Sequence, residues 1–363
     1  MNKDARASEI AVTLALFEVG SSPLFLLGGE AKQDAWLAML LAAAAGFVLL
    51  LLYLRIYRLD PDKDLYELCL RYLGKIPGWF AGFAFAAYFA YESSRNLRDL
   101  GELAHVTLLN QTPMSVMLLM AIAVPAIVTS YGPKALFRSC MIYFYMLAIA
   151  YALIFATIPL TGLLHIEFMF PVLENGLKPV WDAAFPELVS FPFGQTVLFL
   201  TLFKYAPKGK NLSTVVLIAY AFVAVFLTVL NQIVILVLNP QIAKITTYPL
   251  YAVVQLIETV RIVERADALF TLILFIGLGI KMALFYMCAA IGLQKLTGVR
   301  YRIWLIPLAA AVFGLTFLSP TYTEFIWVGL HLMLVYVDPY FQIALPLLLL
   351  VMMLIRRKRL QAK

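Results

Sequence analysis

Apolar segments long enough to cross a membrane recur along the whole chain. Clear examples run from Ala35 to Tyr53, from Met141 to Leu160 and from Thr214 to Leu238. A transmembrane helix needs about 20 predominantly apolar residues. The full pattern predicts about ten spans, which cover residues 9–28, 34–57, 77–104, 113–130, 135–160, 184–205, 212–238, 266–294, 302–319 and 339–356. We therefore expect an all-α integral membrane fold, with residues 1–363 forming a single transmembrane domain.

Two predicted spans are interrupted by residues that disrupt helices. Span one contains Gly20-Ser21-Ser22-Pro23, and span six contains Ser190-Phe191-Pro192-Phe193-Gly194-Gln195. Proline removes a helical donor, and glycine tolerates non-helical dihedral angles. Each break falls in the first span of its half if repeat one covers about 9–160 and repeat two about 184–356. Matched interruptions of this kind indicate an inverted-repeat transporter of five plus five spans.

Paired breaks near the membrane midplane have a specific chemistry. The N-termini of half-helices present free N–H groups that suit a carboxylate, and the C-termini present carbonyls that suit an ammonium or a cation. A zwitterionic amino acid satisfies both. The alternative, two proline kinks packed against neighbouring helices, stays open because Pro and Gly are common in membrane helices.

Ionisable residues within spans are costly in lipid and therefore mark candidate functional groups. Glu18 precedes the first break by one turn, and Lys281 stands nearly alone in span eight. We expect Lys281 to face the broken first span and to satisfy its carbonyls or Glu18. The amine would then replace the coupling cation of sodium-driven transporters. The alternative is a lysine that extends to the cytoplasmic surface.

Span three carries a group of charges. Glu92 lies near the midplane, with Tyr88 one turn earlier, and both are candidates to line the cavity. Glu92 can equally serve as a structural partner of Arg95. The other four charges of this span approach the outer surface and are expected to form a solvated or outer-mouth ion network: Arg95, Arg98, Asp99 and Glu102.

The overall composition supports the membrane assignment. Hydrophobic residues make up 63% of the chain and charged residues 13%, and the mean hydropathy is +0.89. Soluble domains contain about 25% charged residues. The net charge of +7 comes from basic residues scattered between spans, so topology explains it better than nucleic-acid binding.

Motifs of other function classes are missing from the sequence. It contains no GxxxxGK[ST] loop, no Ser/His/Asp arrangement and no CxxC pair. We therefore expect no enzymatic activity, no cofactor and no metal site. The cysteines and histidines are scattered: Cys69, Cys140, Cys288, His105, His165 and His331.

The distribution of basic residues predicts the orientation. Of the 28 Lys and Arg residues, three fall within spans and twenty on the side of the N-terminus. The five on the opposite side are Lys32, Lys178, Lys244, Arg261 and Arg265. This asymmetry places both termini in the cytoplasm. The inner loop 64–74 is either a short helix lying on the membrane or a packed connector, and the outer stretches 161–182 and 248–263 are expected to cap the outer mouth.

Several short motifs occur in a characteristic order and spacing along the whole chain. They are Phe17-Glu18-Val19-Gly20-Ser21-Ser22, Asp34-Ala35-Trp36, Thr112-Pro113, Pro171-Val172-Leu173-Glu174-Asn175-Gly176-Leu177-Lys178-Pro179, Phe191-Pro192-Phe193-Gly194, Tyr248-Pro249-Leu250-Tyr251 and Glu264-Arg265-Ala266-Asp267-Ala268-Leu269-Phe270. Together they resemble the GerAB-like spore germination permease family. This family comprises the B subunits of spore germinant receptors, within the amino acid–polyamine–organocation superfamily.

The resemblance implies a LeuT-like fold in the inner spore membrane and a receptor that contains A and C subunits. The B subunit is thought to bind the germinant, commonly an L-amino acid. The implied binding region is Gly20, Ser21, Ser22, Phe191, Phe193 and Gly194. One departure is Gln33, where relatives often carry Arg. An alternative is a proton- or cation-coupled amino acid permease, with Glu18, Glu92 and Lys281 as coupling groups, and a third is a structural or water-conducting component.

Overall fold

The computed structural model describes residues 5–207, 211–259 and 266–361, and all regular structure in these ranges is helical. The α-helices are α1 (Ala7–Val19), α2 (Ala35–Leu59), α3 (Leu65–Leu68), α4 (Lys75–Thr107), α5 (Met114–Ser130), α6 (Pro133–Thr157), α7 (Lys178–Ala183), α8 (Phe199–Leu202), α9 (Asn211–Leu238), α10 (Pro240–Ile245), α11 (Pro249–Thr259), α12 (Ala266–Thr297), α13 (Tyr301–Leu315), α14 (Tyr322–Trp327) and α15 (Leu345–Gln361). Short 3-10 turns cover Ser22–Leu24, Gly29–Asp34, Ile158–Thr161, Ile166–Met169, Phe193–Leu198 and Phe203–Tyr205. Stretches of π-helix cover Cys69–Leu73, Ala184–Leu188, Val328–Val337 and Tyr340–Ala344.

Some residues used in the sequence argument lie outside the described residues. They are Lys3, Lys208, Lys210, Arg261, Arg265 and Lys363, together with Glu264 of the last motif and the end of the stretch 248–263. The side chains of Arg357, Lys358 and Arg359 are likewise outside the description.

Long apolar helices dominate the architecture. Six helical segments of the described ranges are long and apolar enough to cross a membrane: Gly29–Leu59, Pro133–Thr161, Lys178–Tyr205, Asn211–Leu238, Asp267–Thr297 and Tyr322–Arg356. Two shorter apolar helices are α5 and α13. The chain is therefore a multi-pass membrane protein, as its hydropathy predicts.

The predicted spans coincide with helices to within a few residues, except for spans one, six and ten. In span one the helix ends at Val19, and only a 3-10 turn follows the break. Span six begins earlier, at Lys178. Span ten was predicted to start at residue 339, which is wrong, because one helical run extends from Tyr322 to Arg356. Pro339 does not end it, since π-helical turns accommodate the missing donor there.

The broken segments lie at the centre of the bundle. Helix α1 packs along α9, α6 and α12, and α4 packs along α12. Phe17 and Phe285 are fully buried, and their rings meet edge to face with centroids 5.1 Å apart. The outer helices instead expose large apolar side chains, such as Met120 (68% exposed) and Ile306 (81% exposed), which suits a lipid-facing surface.

The bundle has two faces, which we call the connector face and the loop face. The connector face carries residues 60–74, and the loop face carries residues 158–177. On the connector face, Leu65, Tyr66 and Leu68 are buried, and the Tyr66 hydroxyl donates to the Cys288 carbonyl at 2.8 Å. This burial against the protein favours a packed connector over a helix lying on the membrane.

An ionic cluster fastens the connector to two long segments. Asp64 caps α3 by accepting from the Glu67 amide at 2.9 Å, and it pairs with Lys204 at the end of span six. Glu67 pairs with Lys295 of α12 at 2.8 Å. Burial raises the pKa of Asp64 even though Lys204 opposes the shift. Burial also acts to raise the pKa of Glu67, but the hydrogen bond from Lys295, with Lys204 and the Asp64 interaction, outweighs it and lowers this pKa to about 2.

On the loop face, two of the quoted motifs contact each other. The Leu173 amide donates to both carboxylate oxygens of Asp34, at 3.0 and 3.1 Å. The Gln33 side chain donates to the Glu174 carboxylate at 3.0 Å. The stretch after α6 therefore covers the start of α2, as expected for a cap on this mouth.

Candidate functional site

The first break is a close contact between two helices. After Val19 the chain turns at Gly20, and the Ser22 hydroxyl donates to the main-chain carbonyl of Glu18 at 2.5 Å. A Cβ at Gly20 would lie 2.8 Å from the carbonyl oxygen of Gly277 in α12, so only glycine permits this approach. Only the 3-10 turn Ser22–Leu24 follows the break within span one, so the expected second half-helix is not formed.

The second break takes its hydrogen bonds from span ten and α2. The Gln342 side-chain amide donates to the Ser190 carbonyl at 3.1 Å, and the Ser190 hydroxyl donates to the Leu334 carbonyl at 2.9 Å. Tyr53 of α2 donates to the Gln342 carbonyl at 2.5 Å and lies 3.4 Å from the Gly194 carbonyl. Irregular backbone is tolerated at this depth because polar side chains in the protein interior form hydrogen bonds with its main-chain carbonyls.

The two phenylalanines beside Pro192 point in different directions. The Phe191 ring lies 6.2 Å from the Phe25 ring, beside the first break. The Phe193 ring instead packs against Tyr220 of α9, with centroids 5.8 Å apart, and against Gly46 of α2. The structure therefore brings Phe191 to the first break and places Phe193 in ordinary packing.

Lys281 lies against the first break, as its isolation in the sequence predicts. Its amine is fully buried, 4.6 Å from the Phe191 ring centroid and 5.1 Å from the Phe17 ring centroid. The alternative, in which Lys281 extends to the cytoplasmic surface, is therefore wrong. Among the described residues, neither the Lys281 amine nor the Glu18 carboxylate has a hydrogen-bond partner, so the expected bond to Glu18 or to a carbonyl is not made.

Glu92 connects α4 to the second break. Its carboxylate accepts from Arg95 at 3.2 Å and from the Gln195 side chain at 2.8 Å. One turn earlier, the Tyr88 hydroxyl accepts from Gln342 at 3.1 Å. Glu92 is therefore a structural partner of Arg95, as the alternative proposed, and it also binds Gln195 of the broken span.

Three of the four charges expected in an outer network, Arg98, Asp99 and Glu102, lie at the loop-face end of α4, whereas Arg95 pairs with Glu92 instead. Arg98 pairs with Glu102 at 2.9 Å and donates to the Thr316 carbonyl at 3.3 Å. Tyr322 donates to Asp99 at 3.1 Å. Arg98 and Asp99 are buried, so this network fastens α4 to the ends of α13 and α14 inside the protein.

Asp338 is a functional candidate that the sequence pattern did not indicate. It is fully buried in span ten, and in the described part of the chain neither of its oxygens has a well-aligned hydrogen-bond partner. It lies close enough to Glu92, Arg95 and Lys281 for electrostatic interaction, with the Tyr88 hydroxyl beside it. The available signal was an aspartate within the apolar run 328–345, which the misplaced start of span ten put at a boundary.

These side chains form one group, which we call the central cluster and which consists of Glu18, Glu92, Arg95, Lys281 and Asp338. It contains three acidic and two basic side chains. Unpaired charges at this depth are costly, which makes the cluster the strongest binding candidate in the fold. Over the ranges that the structure describes, no group of three or more His, Cys, Asp or Glu side chains is placed to hold a metal ion.

A cavity of about 300 Å³ leads towards the central cluster from the loop face. We call it the loop-face vestibule. Its lining includes Phe25, Glu187, Phe191, His331 and Leu334. Phe191 both lines this vestibule and lies over the Lys281 amine, so it separates the vestibule from the central cluster.

Comparison with known proteins identifies the family. The sequence model of a family described as "Spore germination protein" matches residues 6–325. The chain belongs to the spore germination protein family. Spore germination protein KB of Bacillus subtilis (strain 168) is 29% identical over 355 residues, which cover 97% of this chain and 95% of that relative. Spore germination protein B2 of the same organism is 24% identical over 238 residues, covering 65% of this chain and 63% of the relative.

The spore germination protein family fits the architecture described above. Its members are membrane proteins of the germinant receptor and permease type, and the family is not a known enzyme family. The resemblance drawn from the sequence motifs is thereby confirmed, and the chain is a membrane protein of this type.

Proposed function

We propose that this chain is the membrane subunit of a spore nutrient-germinant receptor, which binds a small germinant at the central cluster and thereby triggers germination. The observation that carries the proposal is the position of Phe191, which separates the loop-face vestibule from the buried amine of Lys281. A small molecule that displaces this ring would reach the charged groups. The ligand would then favour one of two conformations of the segment that bears the ring.

The chemistry of the cluster suits an L-amino acid. Lys281 offers a positive charge to an α-carboxylate, and Asp338 offers a negative charge to an α-ammonium. Gly20, Ser21 and Ser22 supply the backbone of the first break next to this position, and Gly194 brings the second break close to Gln342. Tyr88 and Glu92 hold span ten and Gln195 around the site.

The proposal extends to fold, orientation and partners. The chain would form ten spans in a LeuT-like repeat of five plus five, with repeat one at about 9–160 and repeat two at about 184–356. Both termini would lie in the cytoplasm, on the connector face, in the inner spore membrane. Receptor A and C subunits would assemble with it, which the similarity to spore germination protein KB supports.

A cation-coupled amino acid permease is the second candidate. Asp338 favours it, because a buried carboxylate with no well-aligned hydrogen-bond partner among the described residues is a natural site for a transported or coupling cation. Uptake of labelled amino acids by proteoliposomes that contain only this chain separates the two functions. The receptor predicts saturable binding without uphill flux, whereas sustained uphill uptake would establish the permease.

Germination of spores tests the receptor directly. The gene is deleted in a spore-forming host that lacks related receptors, and germination is followed against a panel of amino acids and sugars. The proposal predicts loss of the response to at least one amino acid, restored by the wild-type chain. Unchanged responses across the whole panel would contradict it.

A further inference from the structure

A second cavity, of about 460 Å³, opens on the connector face. Four separate segments enclose it, because its walls include Ala5 before α1, Phe137 of α6, Tyr205 at the end of span six and Gln294 of α12. It therefore lies far from the loop-face vestibule, at the opposite end of the bundle. The proposed germinant site does not use it.

Three basic side chains converge on this cavity. Lys134 comes from the start of α6, Arg300 from the turn between α12 and α13, and Arg302 from the first turn of α13. No acidic side chain is among its described lining residues, and none of the three bases forms an ion pair with a described residue. Lys204 and Lys295 on the same face are, by contrast, paired with carboxylates. Among the described residues, the cavity thus concentrates positive charge that no carboxylate pairs with.

The cavity adjoins a lipid-facing apolar surface. Tyr131, which lines it at the end of α5, is 73% exposed. One residue and one turn beyond Arg302, Ile303 and Ile306 of α13 are 59% and 81% exposed. A ligand suited to this position combines an anionic group with a hydrocarbon chain.

We infer that the connector-face cavity binds an anionic phospholipid. The phosphate group lies between Lys134, Arg300 and Arg302, and an acyl chain follows Ile303 and Ile306 along α13. Basic pockets between transmembrane helices are suited to such headgroups. Because Lys134 lies next to the α5–α6 turn, and Arg300 and Arg302 lie at the α12–α13 turn, the bound lipid joins these two turns. Lipid composition then influences the conformation of the connector face independently of any germinant.

Lipid binding to the purified full-length chain in detergent tests this inference. Thermal unfolding and native mass spectrometry are followed while phosphatidylglycerol or phosphatidylcholine is added. Phosphatidylglycerol is expected to bind and stabilise, and a combined Lys134→Gln, Arg300→Gln and Arg302→Gln variant is expected to weaken its binding by about tenfold or more. A variant with Arg300→Lys and Arg302→Lys keeps the charge and is expected to retain most of the affinity, which excludes misfolding as the cause.

The matched control changes the same number of charges elsewhere on the connector face, through Arg55→Gln, Lys63→Gln and Lys75→Gln. Its affinity for phosphatidylglycerol is expected to stay within about twofold of wild type. An equal loss in this control, or equal binding of phosphatidylcholine, would overturn the inference. So would equal stabilisation by inorganic phosphate without lipid. A cavity variant that keeps its lipid affinity but no longer co-purifies with other receptor subunits would assign the cavity to a protein partner instead.

Discussion

Replacement of Lys281 by methionine should separate function from stability. The amine is fully buried without a hydrogen-bond partner among the described residues, which costs about 1–3 kcal/mol. Its cation–π contacts with the rings of Phe17 and Phe191 each stabilise the protonated amine by about 0.5–2 kcal/mol. Methionine has a similar length and keeps the packing. The free energy of unfolding should therefore change by less than about 1.5 kcal/mol.

Ligand binding should respond far more strongly to the same change. Removing one partner of a buried charge pair costs about 2–5 kcal/mol, which corresponds to a loss of roughly 30-fold to several thousandfold in affinity for a carboxylate ligand. Thermal unfolding of the purified chain measures the first effect, and germination of spores that carry Lys281→Met measures the second. The control is Leu272→Met on the lipid-facing side of the same helix, where the side chain is 51% exposed. A variant that germinates like wild type, or one that unfolds several kcal/mol more easily, would refute the reasoning.

Three further perturbations test the first break and the ionic cluster of the connector face. Gly20→Ala should destabilise the protein by about 1–3 kcal/mol in a thermal unfolding assay, because its Cβ would lie 2.8 Å from a backbone oxygen of α12. The matched control is Gly279→Ala, whose Cβ would meet no atom within 4 Å, so it should be neutral or slightly stabilising. Asp64→Asn keeps the helix cap but removes the buried carboxylate that pairs with Lys204, although Glu67 remains 3.3 Å from the Lys204 amine. It should lower stability by roughly 1–3 kcal/mol, and an unchanged melting temperature would contradict this. The pKa of Glu67 is lowered from 4.5 to about 2, so its contribution is present above pH 4.5 and is lost as the pH falls towards 2. After solvent screening this contribution is on the order of 1 kcal/mol, and Glu67→Gln should flatten this part of the stability–pH curve.

Hydropathy alone predicted most of the helices, because each long apolar run must bury its backbone polar groups in a helix to enter lipid. The exception at Tyr322 shows the limit of this reasoning. Asp338-Pro339 looks like a boundary, since an aspartate is costly in a span and proline restricts the residue before it. In the structure, π-helical turns carry the helix through this pair, and the interior of the protein surrounds the carboxylate.

The candidate site was predicted in part. Isolated charges in apolar runs predicted that Lys281 faces the first break beside Glu18, and the structure places it there, although the predicted bond to Glu18 or a carbonyl is not made. The contact of Phe191 with the Lys281 amine was not predicted. The direction of Phe193 could not be predicted, because side-chain directions around a break depend on the irregular dihedral angles themselves. The pairing of Asp64 with Lys204 was also beyond reach, since it joins residues 140 positions apart.

Equilibrium binding of labelled L-amino acids to the purified chain in nanodiscs tests the central claim most directly. The account predicts saturable binding of at least one amino acid at one site per chain. It also predicts that Lys281→Met weakens this binding by roughly 30-fold or more. Phe193→Leu, on the far side of the second break, is predicted to leave it within a fewfold of wild type. No saturable binding across the panel by folded protein, or binding that Lys281→Met leaves intact, would contradict the claim that the central cluster is the germinant site.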